Sequence, residues 1–363
     1  MFDLGLLEAA EKRLGEAVLD PAMWPVLMDD ICQGVGATGA ALLQSDVRTP
    51  DVPLTTSVRE YFAKYFAEGL HIDDVRAIRG VPLLLAGKPV VVDQDLFASE
   101  REFSKQALYA SLEKAGLRWF AVVGFKADDA LWGLSIQRSP RQGPFDEEET
   151  AALARLAARL TEAATLSKAV GRRVLAGISN AFDLLGEPAI AVGRMGNVIE
   201  ANRSATALFD DDFRIRDQRI FVRDLAARAE MDRFLERLRT TSDTQALNAD
   251  SIRIPRKNRR PLLIRALAVD GAAKSPFLGA RTIFVLNDLD RRAALDPRLI
   301  AGMLDLTPAQ ARVAALLGEG KSTQEIAGEF GINADSVRVH LKAIFARTGT
   351  HHQADLVALL RKL

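Results

Sequence analysis

The sequence predicts a multidomain chain that is α+β over most of its length and all-α at its C-terminal end. Its 363 residues exceed the roughly 100–200 of a typical domain, so two or three domains are expected. Strand-like apolar runs alternate with helical patterns in an order typical of antiparallel sheets, whereas only helical patterns follow Leu306. These observations divide the chain into residues 1–168, 169–296 and 297–363.

Composition and charge restrict the class of protein. Apolar residues make up 48% of the chain and charged residues 26%, as in ordinary soluble globular proteins. The formal net charge is zero, so any nucleic-acid surface must be local. The single cysteine, Cys32, excludes an intramolecular disulfide and a cysteine metal cluster. No apolar run reaches the ~18 residues of a membrane span, and Met1–Leu4 lacks the basic start of a signal peptide. We therefore expect a cytoplasmic protein without a membrane partner.

The first predicted domain, residues 1–168, mixes helices with a small sheet. Residues 119–125 and 131–137 are predicted to form a hairpin around Asp128 and Asp129. Further strands are predicted at 40–44 and 90–92, and helices at 2–19, 21–34, 57–69 and 103–115. Large aromatic side chains recur in this domain and line either a ligand pocket or an ordinary core. The candidate pocket residues are Trp24, Tyr61, Tyr65 and Trp119.

A long helix is predicted from Asp146 to about Leu185, because no proline interrupts this stretch and its first turn is acidic. Gly171 and Gly177 predict a break or kink within it. Apolar residues step along the helix by three and four, as in a coiled-coil seam that packs either on a second subunit or on the helix's own domain. The seam consists of Leu153, Leu156, Leu160, Ala163, Val170 and Val174.

The second predicted domain, residues 169–296, has an α+β order. Strands are predicted at 189–192, 198–201, 251–255, 261–269 and 281–286, with a short helix at 205–209. The basic run Arg253–Arg260 is interpreted as a hairpin tip, with a second nucleic-acid patch as the alternative. The acidic run Asp210–Asp212 is interpreted as a solvated turn rather than a phosphate-accepting pocket. Because residues 178–296 contain neither histidine nor cysteine, haem and a cysteine–flavin adduct are not expected there, and no cofactor is predicted.

Two stretches resemble known sensor families. The segment Gly196–Ala205, with the sequence GNVIEANRSA, resembles the turn, strand and Asn-x-x-Ala helix start of PAS domains. The first domain resembles a GAF-like sensor in its order of elements and in Gly143–Phe145, which precede a Glu-rich helix start. These resemblances imply antiparallel-sheet sensor domains joined by the long helix.

The C-terminal stretch predicts an all-α domain of four helices that contains a helix-turn-helix. The four helices are predicted to start at Thr307, Ser322, Asn333 and Gln353. The second and third helices are joined by a tight turn at Gly331 and Ile332. Two short helices joined in this way form the motif whose second helix enters the major groove of DNA.

The third of these helices has two faces at helical spacing. Its apolar inward stripe is Ala334, Val337, Leu341, Ile344 and Phe345, and its outward stripe is Asp335, Arg338, Val339, Lys342 and Ala346. Basic side chains can donate hydrogen bonds to guanine, and a valine can contact the thymine methyl group. The candidate base contacts are therefore Arg338, Val339 and Lys342. The candidate phosphate contacts around them are Lys321, Thr323, His340 and Arg347.

This stretch resembles the DNA-binding domain of the LuxR family of bacterial regulators. The matching residues include Leu306–Pro308, Glu325–Ala327 and Ser336–Lys342, whereas Gln310 departs from the glutamate usual in the family. The resemblance implies that the three candidate base contacts face the bases. It also implies that the last helix, Gln353–Leu363, pairs two subunits on a twofold site. The candidate pairing residues are Ala354, Val357 and Leu360.

Together these features predict a one-component transcription regulator that binds double-stranded promoter or operator DNA as a homodimer and senses a small ligand or a partner. Residues 306–363 contain seven Lys/Arg and five Asp/Glu, so their net charge of +2 makes pairing of two subunits important for affinity. The alternative is a sensory module whose last helices dock a partner protein. No phosphate-binding loop, zinc-binding motif or nucleophile elbow is found, so no catalytic residue is predicted. The pair His351-His352 is interpreted as loop rather than as a metal site.

Overall fold

A computed structural model describes residues 2–45, 52–240, 251–290 and 296–360. The fold is mixed α+β with antiparallel sheets and a helical C-terminal region, as predicted. The chain divides into two compact units, one of residues 1–258 with 262–287 and the other of residues 259–261 with 288–363. The division into three domains stays a prediction. Within the described ranges, no helix is long and apolar enough to cross a membrane.

The first sheet is built from β1 (Gly39–Gln44), β2 (Val90–Val92), β3 (Trp119–Ala127) and β4 (Ala130–Arg138). The strands are antiparallel and lie in the order β1-β4-β3-β2. The strands β3 and β4 form the predicted hairpin, and Asp128 in its turn has a φ of 52°. Aspartate tolerates this left-handed conformation better than most residues. Alternate strand residues face opposite sides, so each face of the sheet has its own core.

Helices cover both faces of this sheet. On one face lie α1 (Leu4–Leu19) and α2 (Trp24–Gly34), which bury Cys32 in the core of that face. The other face is covered by α3 (Arg59–Ala67), α4 (Val75–Leu85), α5 (Asp93–Leu96), α6 (Glu100–Phe103) and α7 (Ala107–Lys114). The sequence does not predict α4, because Pro82 lies within it and proline usually interrupts a helix.

The long helix α8 (Glu147–Leu184) is uninterrupted over 38 residues, so the predicted break is wrong. Gly171 serves close packing instead, since a Cβ atom there would lie 2.6 Å from the carbonyl oxygen of Ala272. The first four seam residues, Leu153 to Ala163, are buried in the core that α8 shares with the first sheet. Packing on the helix's own domain therefore accounts for this part of the seam. Val174, near the other end, is 38% exposed.

The two glycines of α8 should respond to the same substitution with opposite signs. Gly171→Ala should lower the free energy of unfolding by about 1–3 kcal/mol, because the added methyl group meets backbone that must move. Gly177→Ala should raise the free energy of unfolding by about 0.5–1 kcal/mol, because no atom lies within 4 Å of the added group and alanine favours helix. Chemical denaturation of the two variants measures both effects. Equal shifts in the two variants would contradict the packing role of Gly171.

The second sheet contains β5 (Ala189–Gly193), β6 (Val198–Ala201), β9 (Ile252–Arg256), β10 (Arg259–Ala268) and β11 (Ala280–Asp288), in the order β6-β5-β11-β10-β9. Between β6 and β9 the chain forms α9 (Arg203–Thr206), a hairpin of β7 (Phe213–Arg216) and β8 (Arg219–Val222), and α10 (Leu225–Thr240). These elements share one core with one face of the sheet. The predicted strands do not include β7 and β8, although Phe213–Arg216 alternates apolar and basic residues as a half-buried strand does.

Asn202, within the stretch that resembles PAS domains, is a buried connector in this part of the fold. Its side-chain oxygen accepts hydrogen bonds from the backbone N–H groups of Ala205, at 2.8 Å, and of Ala189, at 3.0 Å. Its side-chain nitrogen donates to the Glu187 carbonyl oxygen at 2.8 Å. This one side chain thus caps α9 and also accepts a hydrogen bond from the first backbone N–H of β5.

The acidic and basic runs of this region both lie at turns. Asp210 accepts hydrogen bonds from the backbone N–H groups of Asp212 and Phe213 at 2.8 and 2.9 Å. Asp212 in turn accepts one from the backbone N–H of Lys257, at 2.6 Å. Lys257 and Asn258 connect β9 to β10, so the basic run occupies a hairpin tip, as predicted.

The segment between β10 and β11 inserts an aromatic ring into the core of the first sheet. The Phe277 ring lies edge-on to Trp24 and Trp132, with centroids 5.3 and 5.0 Å away, and 6.0 Å from Phe125. The hydroxyl groups of Ser275 and Ser167 of α8 are hydrogen-bonded at 2.8 Å. The second sheet is therefore connected to the first by buried contacts as well as by α8.

The second unit contains α11 (Pro297–Met303), α12 (Pro308–Gly318), α13 (Thr323–Phe330), α14 (Ala334–Thr348) and α15 (Gln353–Leu360) around one apolar core. These described residues form five helices rather than the predicted four, because α11 precedes the predicted set. Asp296 caps α11 by accepting a hydrogen bond from the backbone N–H of Arg298 at 2.8 Å.

Candidate nucleic-acid interface

The helices α13 and α14 are connected by a tight turn of three residues, Gly331 to Asn333. Gly331 ends α13 in the left-handed conformation, with a φ of 64°, which glycine adopts without strain. The backbone N–H of Ile332 then donates to the Ala327 carbonyl oxygen at 3.0 Å. Asn333 caps α14 by accepting a hydrogen bond from the backbone N–H of Ser336 at 2.7 Å. These caps fix where each helix begins and ends.

Capping boxes start the two preceding helices. At α13, the Ser322 hydroxyl accepts from the Glu325 backbone N–H, and the Glu325 carboxylate accepts from the Ser322 backbone N–H at 2.7 Å. At α12, Thr307 and Gln310 make the same reciprocal pair, at 2.9 and 3.3 Å. Gln310 therefore supplies the cap that a glutamate would supply, and its departure from the LuxR pattern leaves this anchor in place.

The two predicted faces of α14 are both found. Val337, Leu341 and Ile344 are buried in the core of the second unit. The outward stripe, consisting of Asp335, Arg338, Val339, Lys342 and Ala346, is exposed along its whole length. Val339 is 69% exposed, although a valine gains free energy when it is buried. A row of basic side chains around one exposed apolar side chain suits contact with base edges.

Three of the basic residues predicted to contact DNA form ion pairs with carboxylates of the same unit. The Arg338 guanidinium lies 2.6 Å from the Asp335 carboxylate. Arg347 lies 3.5 Å from the Asp305 carboxylate and also donates to the Asp305 carbonyl oxygen. Lys321 contacts Glu329. Exposed pairs of this kind contribute little to stability, so phosphate groups can replace the carboxylates at small cost.

The remaining phosphate candidates occupy different places. Thr323 is half-buried at the first position of α13, and the N-terminus of a helix favours an anion. His340 is half-buried on the side of α14. His351 and His352 are exposed before α15, and their backbone N–H groups donate to Asp355. In the described part of the chain, no three His, Cys, Asp or Glu residues are grouped as metal ligands.

The candidate pairing residues on α15 do not share one exposure. Ala354 is exposed, and Val357 is half-buried against the core of its own unit. Leu360 is completely buried in that core, so the prediction that it pairs subunits is wrong. Residues 361–363 of the predicted last helix lie outside the described residues.

Residues 304–360 match a protein family described as bacterial regulatory proteins, luxR family. The C-terminal unit carries a LuxR-family helix-turn-helix. The match covers about a sixth of the chain, and it includes every residue of the outward stripe of α14. No curated protein matches the sequence significantly.

Several solved structures align with the chain at low similarity. The phage VqmA-DPO complex is 17% identical, with 52% of this chain and 89% of that chain covered and a TM-score of 0.23. The Vibrio cholerae VqmA dimer is 18% identical, with 50% and 86% covered and a TM-score of 0.20. The E. coli DhaR(N)-DhaL complex is 10% identical, with 77% and 87% covered and a TM-score of 0.23. TM-scores this low do not establish a common fold.

A second candidate site is a cavity of about 70 Å³ between the first sheet and the helices α3 and α4. Tyr61 and Tyr65, two of the four predicted pocket residues, line it. Trp24 does not, because it lies on the opposite face of the sheet against Phe277. Trp119 belongs to the same core as Tyr61 and Tyr65 but is not part of the lining.

A buried polar cluster forms one wall of this cavity, and sequence reasoning did not find it. The Arg76 guanidinium donates to the Tyr109 hydroxyl at 3.0 Å, to the Gln137 side-chain oxygen at 2.9 Å and to the Arg118 carbonyl oxygen at 2.7 Å. It also lies 3.3 Å from the Asp93 carboxylate. In the sequence, the only sign of this cluster is that Arg76 lies in the mostly apolar segment that forms α4.

Proposed function

We propose that this protein is a transcription regulator that binds specific DNA sequences through α14. The observation that carries the proposal is the exposed stripe of Arg338, Val339 and Lys342 on the second helix of a LuxR-family helix-turn-helix. Arg338 and Lys342 would donate to guanine O6 and N7, and Val339 would contact a thymine methyl group. The side chains of Lys321, Thr323, His340 and Arg347 would contact phosphates around them.

Homodimeric binding forms part of this proposal. A net charge of +2 over residues 306–363 neutralises few phosphates, so one copy would bind DNA weakly. Two copies on a twofold site would double the contacts. With Leu360 buried, the exposed side of α15 around Ala354 remains the candidate pairing surface.

A sensory role for the first unit is also part of the proposal. The strand order β6-β5-β11-β10-β9 and the capping role of Asn202 support a PAS-like second sheet domain. The layered arrangement of the first sheet, with α8 leading out of it, supports a GAF-like domain. A small ligand in the first domain, or a partner protein, would then control DNA binding.

Truncating the exposed stripe should weaken DNA binding and relax base preference. Arg338→Ala and Lys342→Ala should each weaken binding to duplexes selected by the wild-type protein from a random pool by about 10–100-fold. Gel shifts at fixed salt measure this change. Arg298→Ala is the matched control, because it removes one positive charge at an exposed position of α11 in the same unit and leaves α13 and α14 unaltered. It should lower affinity less and leave the selected bases unchanged.

The selection itself separates the candidate functions. Two half-sites about one helical turn apart would support a homodimer, whereas a single half-site would contradict it. No selected sequence and no binding at low salt would overturn the proposal. That result would favour the alternative, a module whose exposed Val339 face docks a partner protein.

A further inference from the structure

The cavity beside Tyr61 has mainly apolar walls. Its lining includes Phe62, Leu84, Leu112, Phe120 and Val122. Apolar cavities in proteins remain empty of water and accept apolar molecules, as an engineered cavity of about 150 Å³ does with benzene. A cavity of about 70 Å³ therefore suits a molecule with only a few non-hydrogen atoms.

Two residues that line the cavity have an unpartnered buried polar atom, Tyr61 and Trp132, but the Trp132 ring packs against Phe277 on the other face of the sheet. The Tyr61 side chain is 7% exposed, and its hydroxyl group makes no hydrogen bond to any described residue. The neighbouring Tyr65 hydroxyl is satisfied, because it donates to the Asp74 carboxylate at 2.6 Å. A buried hydroxyl without a partner is costly, and most buried polar groups in proteins are hydrogen-bonded. The Tyr61 hydroxyl is thus a hydrogen-bond donor for which a bound molecule could supply the acceptor.

The charges around the cavity exclude an anionic ligand. The positive charge of Arg76 is neutralised by Asp93 at 3.3 Å, and its guanidinium stacks on the Tyr109 and Phe120 rings. The Asp74 carboxylate lines the cavity and accepts hydrogen bonds from two backbone N–H groups as well as from Tyr65. A second negative charge beside Asp74 would be repelled in this low-dielectric site.

We propose that this cavity binds a small uncharged molecule, mainly apolar, whose single acceptor group receives the hydrogen bond of the Tyr61 hydroxyl. Short-chain or cyclic ketones, esters and amides belong to this class. The proposal deepens the sensory role suggested above and rests on it for its biological meaning. Its chemistry is independent of DNA binding.

Three small probes of similar size test the ligand class with the full-length protein. Cyclopentanone carries the acceptor, methylenecyclopentane has the same shape without it, and pentanoate adds a negative charge. Saturation-transfer NMR titrations should give binding of cyclopentanone that weakens about 10-fold in Tyr61→Phe. Binding of methylenecyclopentane should change less than about twofold between the two proteins, and pentanoate should not bind. Ala77→Leu, which fills the cavity, should abolish the binding of cyclopentanone.

The unbound protein offers a second measurement that does not need a ligand. Tyr61→Phe removes the unpaired hydroxyl and should raise the midpoint of thermal unfolding by about 2–4 °C. Tyr65→Phe, the matched control on the same helix, breaks the bond to Asp74 and should lower it by a similar amount. A Tyr61→Phe variant that is less stable than wild type would show that the hydroxyl already has a partner.

The proposal is overturned if cyclopentanone does not bind, if it binds Tyr61→Phe as tightly as wild type, or if pentanoate binds best. Gel shifts on the same protein samples keep the two proposals apart. Loss of cyclopentanone binding with intact DNA binding would reject the ligand class alone. Intact cyclopentanone binding in a protein that selects no DNA would reject the regulator alone.

Discussion

Phe277→Ala should lower the free energy of unfolding of the first unit by about 3–5 kcal/mol. The Phe277 ring is 6% exposed and packs edge-on against Trp24 and Trp132, an arrangement of aromatic rings that adds to the gain from burial. Removing it leaves a void among large rigid rings that cannot collapse to fill the space. The substitution also removes an anchor between the two sheets.

Tryptophan fluorescence during urea denaturation measures this effect directly, because two of the three tryptophans touch the lost ring. Phe277→Leu, which keeps most of the apolar volume, should cost less than half as much. Leu267→Ala on β10 is a control at a site that is 44% exposed and should change stability little. A loss below 1 kcal/mol for Phe277→Ala would mean that the segment 271–279 is not an anchor.

Glu149→Gln should lower the free energy of unfolding by a similar amount, about 3–5 kcal/mol. Glu149 and Arg138 form a buried two-point pair, with N–O distances of 2.6 and 2.9 Å. The Arg138 guanidinium also donates to the carbonyl oxygens of Val35 and Pro144 and lies over the Phe145 ring. The substitution leaves the arginine charge buried without its counter-charge.

The choice of glutamine isolates the charge from the helix cap. Glu149 also accepts a hydrogen bond from the Asp146 backbone N–H at the start of α8, and glutamine can do the same, as Gln310 does at α12. The double variant Arg138→Met with Glu149→Gln keeps the cap and should recover much of the lost stability, because no charge remains buried. A double variant as unstable as Glu149→Gln would show that the loss does not come from the unpaired charge of Arg138.

Local patterns in the sequence predict the two faces of α14 better than they predict the lining of the pocket. The two faces of α14 follow from a spacing of three and four, which holds whatever α14 packs against. Which residues line the pocket depends on which helices and strands pack against one another. The spacing of residues within one helix or strand does not predict that packing. Trp24 and Tyr61 are both large aromatic residues of predicted helices, yet α2 and α3 cover opposite faces of the first sheet.

The wrong predictions share a cause in tertiary packing. Gly171 has the sequence appearance of a helix breaker, but a close approach by Ala272 makes a missing side chain useful there. Leu360 is an apolar residue of the last helix and is predicted to contact a second subunit, but it is buried in the core of its own unit. Helix α4 tolerates Pro82 because the surrounding core supplies stability that the lost hydrogen bond does not.

Cys32 gives the buried core around Phe277 a chemical consequence. The thiol is 3% exposed in the same core, and burial raises its pKa, so it stays in the protonated, unreactive form. It is also the only thiol in the sequence. Alkylation of the native protein therefore requires that core to open, and the labelling rate reports how often it does so. A single mass shift then reports the opening of the core that joins the two sheets, without any engineered label.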